Sequence, residues 1–380
     1  MLTQKTSLHD WLFAAGPDPV TRRRFPFSST LVLPGVNVYE GLGIDDPEKA
    51  KWRDFVFRAR GRDLKGAIFD LASLPKVDFE GADLQGASLF RTQLQGAALY
   101  HAQLQGAALD FTRFQGASLE AARLQGAWLD RAQLQGTSLR DAQLQGASLE
   151  YAGLQGASFT GATLEATDLL GAYLWRTTRQ QPPSSLTVAI RLDHVNWLPE
   201  WIDIDKGKLH PWDAVVYQAL RATVDAVPPG SFHDEALRRI EILDCSNFDK
   251  TTLASCETQV PPPPEAEAWR LALEAASVDK KAYAEALAKV LHRIVCSRGY
   301  NWYDPIDTTD NKIYTLRGPG FQIRLGDAGP AAFGLIDDLM NKDNKDCPVA
   351  AALTDADRAK LLEMKQSIEA KTPGGQGEAK

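Results

Sequence analysis

The chain has 380 residues, enough for two or three domains. Its 44% hydrophobic and 24% charged residues are those of an ordinary globular protein, and a net charge of −7 argues against general binding to nucleic acid phosphates. No apolar run approaches 18 residues and the N-terminus shows no signal-peptide core, so a cytoplasmic protein is expected.

Residues 1–60 read as an N-terminal capping segment. Trp11-Leu12-Phe13 and Arg22-Arg23-Arg24 come first, and three basic residues are few for an anionic lipid surface. Thr30 to Gly35 is a strand-like run broken by Pro34-Gly35. Asp45-Asp46-Pro47-Glu48 has the acids and the proline of a helix start. Phe55 and Phe57 then alternate with Arg58, Arg60 and Arg62 like an edge strand running toward Leu64.

From Leu64 to Leu174 every fifth residue is Leu or Phe, 23 positions without a slip, and the residue two before each is Ala at 17 of them. The exceptions are Arg62, Val77, Thr92, Thr112, Thr137 and Thr167. A helix would turn each successive Leu by roughly 140°, and a strand would flip it to the other face. The chain must therefore turn a corner every five residues, with the large and the small residue both pointing inward. Stacked coils of that kind make a parallel β-solenoid over 61–178.

The units Ala67-Ile68-Phe69 and Ala82-Asp83-Leu84 and the recurring Leu-Gln-Gly-Ala-Ser-Leu resemble pentapeptide-repeat proteins. The resemblance implies a mainly β fold, the right-handed quadrilateral parallel β-helix, with four pentapeptides to a coil. At about 4.8 Å per coil, nearly six coils give a rod on the order of 28 Å long. The segments Leu31 to Gly35, Ile44 to Pro47 and Cys347 to Thr354 further resemble bacterial pentapeptide-repeat proteins, many of which carry transmembrane helices. That resemblance implies a module of a membrane-associated assembly, peripheral to the membrane, with no established reaction.

With four units per coil, residues twenty apart form columns. Gln85, Gln105, Gln125 and Gln145 form one, and Gln95, Gln115, Gln135 and Gln155 a second on the opposite wall. Stacked amides can hydrogen-bond up a column, so these walls either reinforce the rod or bind. A third wall reads Asp70, Phe90, Asp110, Asp130, Glu150 beside Leu71, Arg91, Phe111, Arg131, Tyr151. Arg131 is placed to neutralise the stacked carboxylates, and the Arg–Phe–Arg–Tyr order permits cation–π contacts. The wall is either solvated decoration or a docking stripe of Arg91, Asp110, Phe111, Trp128, Asp130, Arg131, Glu150 and Tyr151, with Trp128 as an exposed anchor.

Residues 179–211 hold a linker around Gln180 to Ser185 and a tryptophan-rich cap with Trp197 and Trp201, and Trp212 comes directly after. A mostly α-helical C-terminal domain is expected over 212–371. Its apolar spacing is helical at Val216, Leu220 and Val224, at Ala236, Leu237, Ile240 and Leu243, and over 266–276, 283–295 and 333–340. Pro261 to Pro264 make a stiff break. A last helix runs over about 355–368, with Thr354 as N-cap and Asp357 as capping-box partner, before a disordered tail at 372–380. Cys245, Cys256, Cys296 and Cys347 show neither zinc-ligand spacing nor a dense framework and read as reduced, buried thiols.

No phosphate loop, Gly-x-Ser-x-Gly or His-Glu-x-x-His motif is present. The tight cluster His233-Asp234-Glu235 points in different directions on a helix. No catalytic residue, cofactor or metal is assigned. The expected function is a non-enzymatic protein–protein interaction scaffold with a protein partner. The alternatives are a DNA-mimicking modulator of DNA gyrase, implied by resemblance to fluoroquinolone-resistance members of the fold, and a hydrolase in the helical domain. Residues 61–175 hold 12 acids against 8 bases, a net of only −4, which is weak acidity for a duplex mimic.

Overall fold

The computed structural model describes residues 31, 33–36, 58–178, 189–203, 208–225, 231–244, 264–297 and 309–372. The readings of Trp11 to Phe13, Arg22 to Arg24, Asp45 to Glu48, Phe55 and Phe57, the Gln180 to Ser185 linker, Pro261 to Pro263, Cys245 and Cys256, and the tail lie outside them.

The five-residue period becomes a four-walled coil. Parallel bridges join residues twenty apart, from Arg58 to Asp78 at the start to Ser158 to Thr178 at the end. Every Leu or Phe centre except Leu64 is at most 1% exposed, and the alanines two before lie beside them in one continuous core. The four Thr exceptions fit because each spends its hydroxyl inside: Thr92 donates to the Phe69 carbonyl at 2.8 Å, Thr112 to Leu89 at 2.7 Å, Thr137 to Phe114 at 2.8 Å and Thr167 to Leu144 at 2.9 Å. A buried hydroxyl without such a bond would cost about 1–3 kcal/mol.

Each wall contributes a single bridge residue before the next corner. The mainly β expectation therefore holds for the rod alone, whose extended backbone never runs long enough to be an ordinary strand. Corners close by a hydrogen bond from the fourth residue back to the first, as from the Ala72 N–H to the Phe69 carbonyl at 2.9 Å. The third turn residue takes positive φ, as a type II turn requires, for example 63° at Gly86 and 54° at Arg91.

Both open ends are covered, which satisfies backbone that would otherwise template association. At the start, the Leu33 N–H donates to Ile68 at 2.7 Å and the Gly35 N–H to Asp70 at 2.6 Å, so the strand-like run around Pro34 caps the first coil. At the far end, residues 189–196 add a further partial turn through Asp168 to Arg191 and Tyr173 to Asn196 bridges. An antiparallel hairpin comes next, β1 (Glu200–Asp203) with β2 (Lys208–Pro211), Trp201 opposite His210.

The helices after Trp212 wrap the rod. Helices α1 (Ala214–Asp225) and α2 (Ser231–Glu241) form a small core with Trp175 and Trp212. Helix α3 (Pro264–Ala276) lies over the last coil and gives Trp269, Leu273 and Ala276 to the rod's own core. Helices α4 (Lys280–Cys296), α5 (Thr309–Arg317), α6 (Pro319–Asp327), α7 (Phe333–Met340) and α8 (Asp355–Lys371), with 3₁₀ turns at Gly329–Ala332 and Pro348–Ala352, build a third cluster. The capping box forms as read: the Thr354 N–H donates to Asp357 at 2.9 Å and the Asp357 N–H to the Thr354 hydroxyl at 3.2 Å. Among the described residues no helix is long and apolar enough to cross a membrane.

The thiol expectation is overturned for one pair. Cys296 and Cys347, 51 residues apart, form a buried disulfide that ties the end of α4 to the turn before α8. Nothing in a separation of that length marks the pair in sequence.

Candidate interaction site: the corners of the rod

A closed coil whose interior is filled leaves its corners as the surface where chemistry can differ. Two opposite corners carry the Gln-Gly dipeptides, and both are occupied by the chain's own helices. A Cβ added at Gly106 would stand 2.5 Å from the Thr315 carbonyl oxygen, and one at Gly126 3.2 Å from the Phe321 ring. On the opposite corner a Cβ at Gly116 would meet Val224 at 2.6 Å and one at Gly156 would meet Leu243 at 2.7 Å. Each side is pinned by a buried arginine. Arg324 of α6 donates to the Gly146 carbonyl at 2.9 Å, and Arg239 of α2 to the Gly136 carbonyl at 3.0 Å. Burial lowers the Arg239 pKa to about 10, against a field from Glu235 and Glu120 that favours the charged form.

The Gln columns do bond, but not vertically. The Gln85 amide donates to Gln103 at 2.8 Å, Gln125 to Gln143 at 2.5 Å and Gln115 to Gln133, each 18 residues on. A turn amide therefore reaches the outward wall residue of the next coil rather than its own counterpart twenty on.

The other two corners have side chains at the positive-φ position. One holds His101, Ala121 and Asp141, with the rings of Tyr100 and His101 4.0 Å apart. The second is the stripe read from sequence, with Leu71, Arg91, Phe111, Arg131 and Tyr151 at φ of 54–62°. Its cation–π column forms. The Arg91 guanidinium lies 5.1 Å from the Phe111 ring centre, and Arg131 lies 5.5 Å from Phe111 and 5.3 Å from Tyr151. A non-glycine residue in this backbone region costs about 1–2 kcal/mol, so the stacked column is held at some expense of stability.

The acids beside it are placed otherwise than expected. Asp110 is only 3% exposed. Asp70 accepts from the Ser88 hydroxyl at 2.6 Å and the Phe90 N–H at 3.1 Å, and Asp130 repeats the arrangement with Ser148 and the Glu150 N–H. Arg131 pairs with none of them. Its charge still favours the ionised form of Asp110, while the direct partners of the other acids are these donors and Arg191, which reaches Asp168 at 3.1 Å, Glu150 at 3.4 Å and Asp193 at 3.1 Å. Burial, reinforced by the negative charges of Asp130 and Asp70, pushes Asp110 up to about 6. Burial and the fields of Asp168 and Asp130 push Glu150 up to about 7, since Arg191 is shared among three carboxylates. Burial also raises Asp130.

Trp128 is not the exposed anchor expected. It is half-buried in the wall, bridged to Ala108 and Ser148, with its indole nitrogen turned from solvent beside Asp130. The exposed apolar members are Leu71 at 59% and Tyr151 at 36%. Leu71 was visible in the column and belongs to the site by its exposure. The cluster at His233 holds only a His233 to Asp234 contact of 3.2 Å, while Glu235 turns to Arg140 at 3.5 Å. Among the described residues no group of His, Cys, Asp or Glu is arranged to hold a metal ion.

These features define a repeat solenoid whose two Gln-Gly corners are covered by the chain's own helices, while the other two corners carry side chains at the positive-φ position. Residues 58–89, 87–126 and 127–165 match the family model described as pentapeptide repeats, in eight copies, and through this rod the chain belongs to the pentapeptide-repeat family. Solved structures of the family resemble it. A pentapeptide repeat protein from the thylakoid lumen of Arabidopsis thaliana is 30% identical over 28% of this chain and 70% of its own, with a TM-score of 0.22. QnrB1, a plasmid-mediated fluoroquinolone resistance protein, is 19% identical over 46% of this chain and 78% of its own, TM-score 0.24. HetL, involved in heterocyst differentiation regulation in the cyanobacterium Nostoc, is 24% identical over 47% and 91%, TM-score 0.15. No curated protein matches the chain.

Proposed function

We propose that the protein is a non-enzymatic interaction scaffold that docks a protein partner on the corner running from Asp70 to Tyr151, within a membrane-associated assembly. The observation that carries this reading is the pair Arg91 and Arg131: exposed, stacked on aromatic rings, and without a hydrogen bond or ion pair to any described residue. Arginine and aromatic side chains are the usual hot spots of interfaces. The two Gln-Gly corners are unavailable because the chain's helices already fill them.

Quantitative affinity capture from host lysate and detergent-solubilised membranes tests it, comparing the wild-type chain with Arg131→Ala/Tyr151→Ala. A partner held by the wild type and lost from the double variant, with an unchanged circular dichroism spectrum, supports the stripe. Undiminished capture overturns it.

Duplex mimicry toward a topoisomerase receives less support. A mimic needs acids exposed along the rod, whereas Asp110 is buried and Asp70 and Asp130 are engaged by serines and backbone of the next coil. A supercoiling assay that shows no effect at large molar excess removes that reading.

A further inference from the structure

A scaffold needs a partner, and the spacing of this corner restricts its chemistry. Resting on the scaffold reading, we propose that the corner takes an acidic amphipathic α-helix of the partner laid along the rod axis. Carboxylates on alternate turns pair with Arg91 and Arg131, and apolar side chains on the turns between pack against Leu71, Phe111 and Tyr151.

The column alternates apolar, Arg, apolar, Arg, apolar from Leu71 to Tyr151, one residue per coil. Coils rise about 4.8 Å and a helix rises about 5.4 Å per turn, so helix and rod advance nearly together. The mismatch, about 0.6 Å per rung from those same rises, accumulates to about 2.4 Å across the whole column. Flexible arginine stems can absorb that. An extended strand along the same axis repeats a face every 6.6 Å or so and falls out of register by its third contact. A strand laid across the corner meets only one rung.

Charge favours a carboxylate. Phe111 sits between the two guanidiniums, which are therefore about 10 Å apart across two coils. Stacking fixes the guanidinium planes and leaves their N–H edges for bidentate acceptors. None of the neighbouring acids forms an ion pair with them, although the charge of Arg131 acts on Asp110: Asp110 is buried, Asp70 and Asp130 accept from the next coil, and Glu150 turns to Arg191, so the N–H edges of both guanidiniums stay open to an outside carboxylate. A bilayer is a poorer fit, since two charges are few for anionic lipid and apolar rungs separate them.

The test uses the whole protein and a synthetic helix of roughly five turns, labelled for fluorescence anisotropy, with Leu and Glu alternating at spacings of four and three residues. The expected result is binding that weakens with salt and falls about tenfold or more in Arg91→Ala/Arg131→Ala. Arg91→Glu/Arg131→Glu should reject the Glu helix and accept its Lys counterpart, which a merely structural effect would not produce. Absence of binding, binding unaffected by the alanine pair, or tighter binding to a phosphoserine peptide or to phosphatidylserine vesicles overturns the proposal. If capture in the assay above still depends on Arg131 and Tyr151 while the helix does not bind, the helix falls and the scaffold stands.

Discussion

Glycine at the third turn position follows the neighbours rather than the turn. At Gly106 a Cβ would meet the Thr315 carbonyl oxygen at 2.5 Å and the Phe321 Cβ at 3.1 Å, whereas at Gly81 nothing lies within 4 Å. Both have φ near 65°. Gly81→Ala should therefore cost only the left-handed penalty of about 1–2 kcal/mol, and Gly106→Ala distinctly more, because α5 and α6 must shift. Urea denaturation of the two variants decides it, and equal costs would mean the helices are not seated on that corner. The acids of the open corner give a second residue-scale test. Asp110 and Glu150 hold their protons to about 6 and about 7, above the unfolded carboxylate range of about 4. Groups raised in this way contribute stability that is complete below the unfolded range and is lost as pH rises through the folded values. The melting temperature should fall between about pH 4 and pH 7, and Asp110→Asn/Glu150→Gln should flatten that slope. A wild-type profile that rises over the same interval would contradict the burial of these carboxyls.

At the scale of elements, the helices are held to the rod by single buried guanidiniums as much as by apolar faces. Arg324 is fully buried; it donates to the Gly146 carbonyl at 2.9 Å, to Asp327 at 2.6 Å and to the Tyr283 hydroxyl. Arg324→Leu should cost about 3–5 kcal/mol, the usual loss when one partner of a buried charged network is removed. Arg324→Lys should not restore it, since one ammonium cannot span three acceptors in that fork. Chemical denaturation reads both, and a loss below about 1 kcal/mol would show that apolar packing alone holds α6. This anchor also marks what sequence could not show. The coil was legible because a five-residue period admits one solution, and α7 and α8 were legible from apolar spacing and from Thr354 with Asp357. Helices α5 and α6 were missed, being nine residues each and interrupted at Gly318. The docking of α6 rests on a bond between residues 178 apart, which no local pattern carries. The stripe was legible as a column, but not its depth: the second turn residue is recessed and the third stands out, so Asp110 was read as surface. The Gln ladders were legible as columns too, yet the amides reach 18 residues on rather than twenty.

Across the whole molecule, one continuous core from Leu33 to Ala276 is flanked by two smaller cores that do not merge, Trp175 with α1 and α2 on one side and α4 to α8 on the other. Sequence-distant helices thus meet the rod on opposite corners, and only the rod lies between them. Energetic coupling must then pass through a packed solenoid whose walls are joined at every coil by backbone hydrogen bonds. Ile240 packs on the Gly136 corner and Leu291 on the Gly126 and Gly146 corner. Ile240→Ala and Leu291→Ala should each cost about 2–5 kcal/mol, and the double variant should lose their sum to within about 0.5 kcal/mol, as independent sites do. Hydrogen exchange should show α1 and α2 opening separately from α4 to α8, with the wall amides of the rod exchanging last. Destabilisation of one cladding group that speeds exchange in the other would instead make the rod a mechanical link between its two covered corners, and the open stripe between them would then feel both.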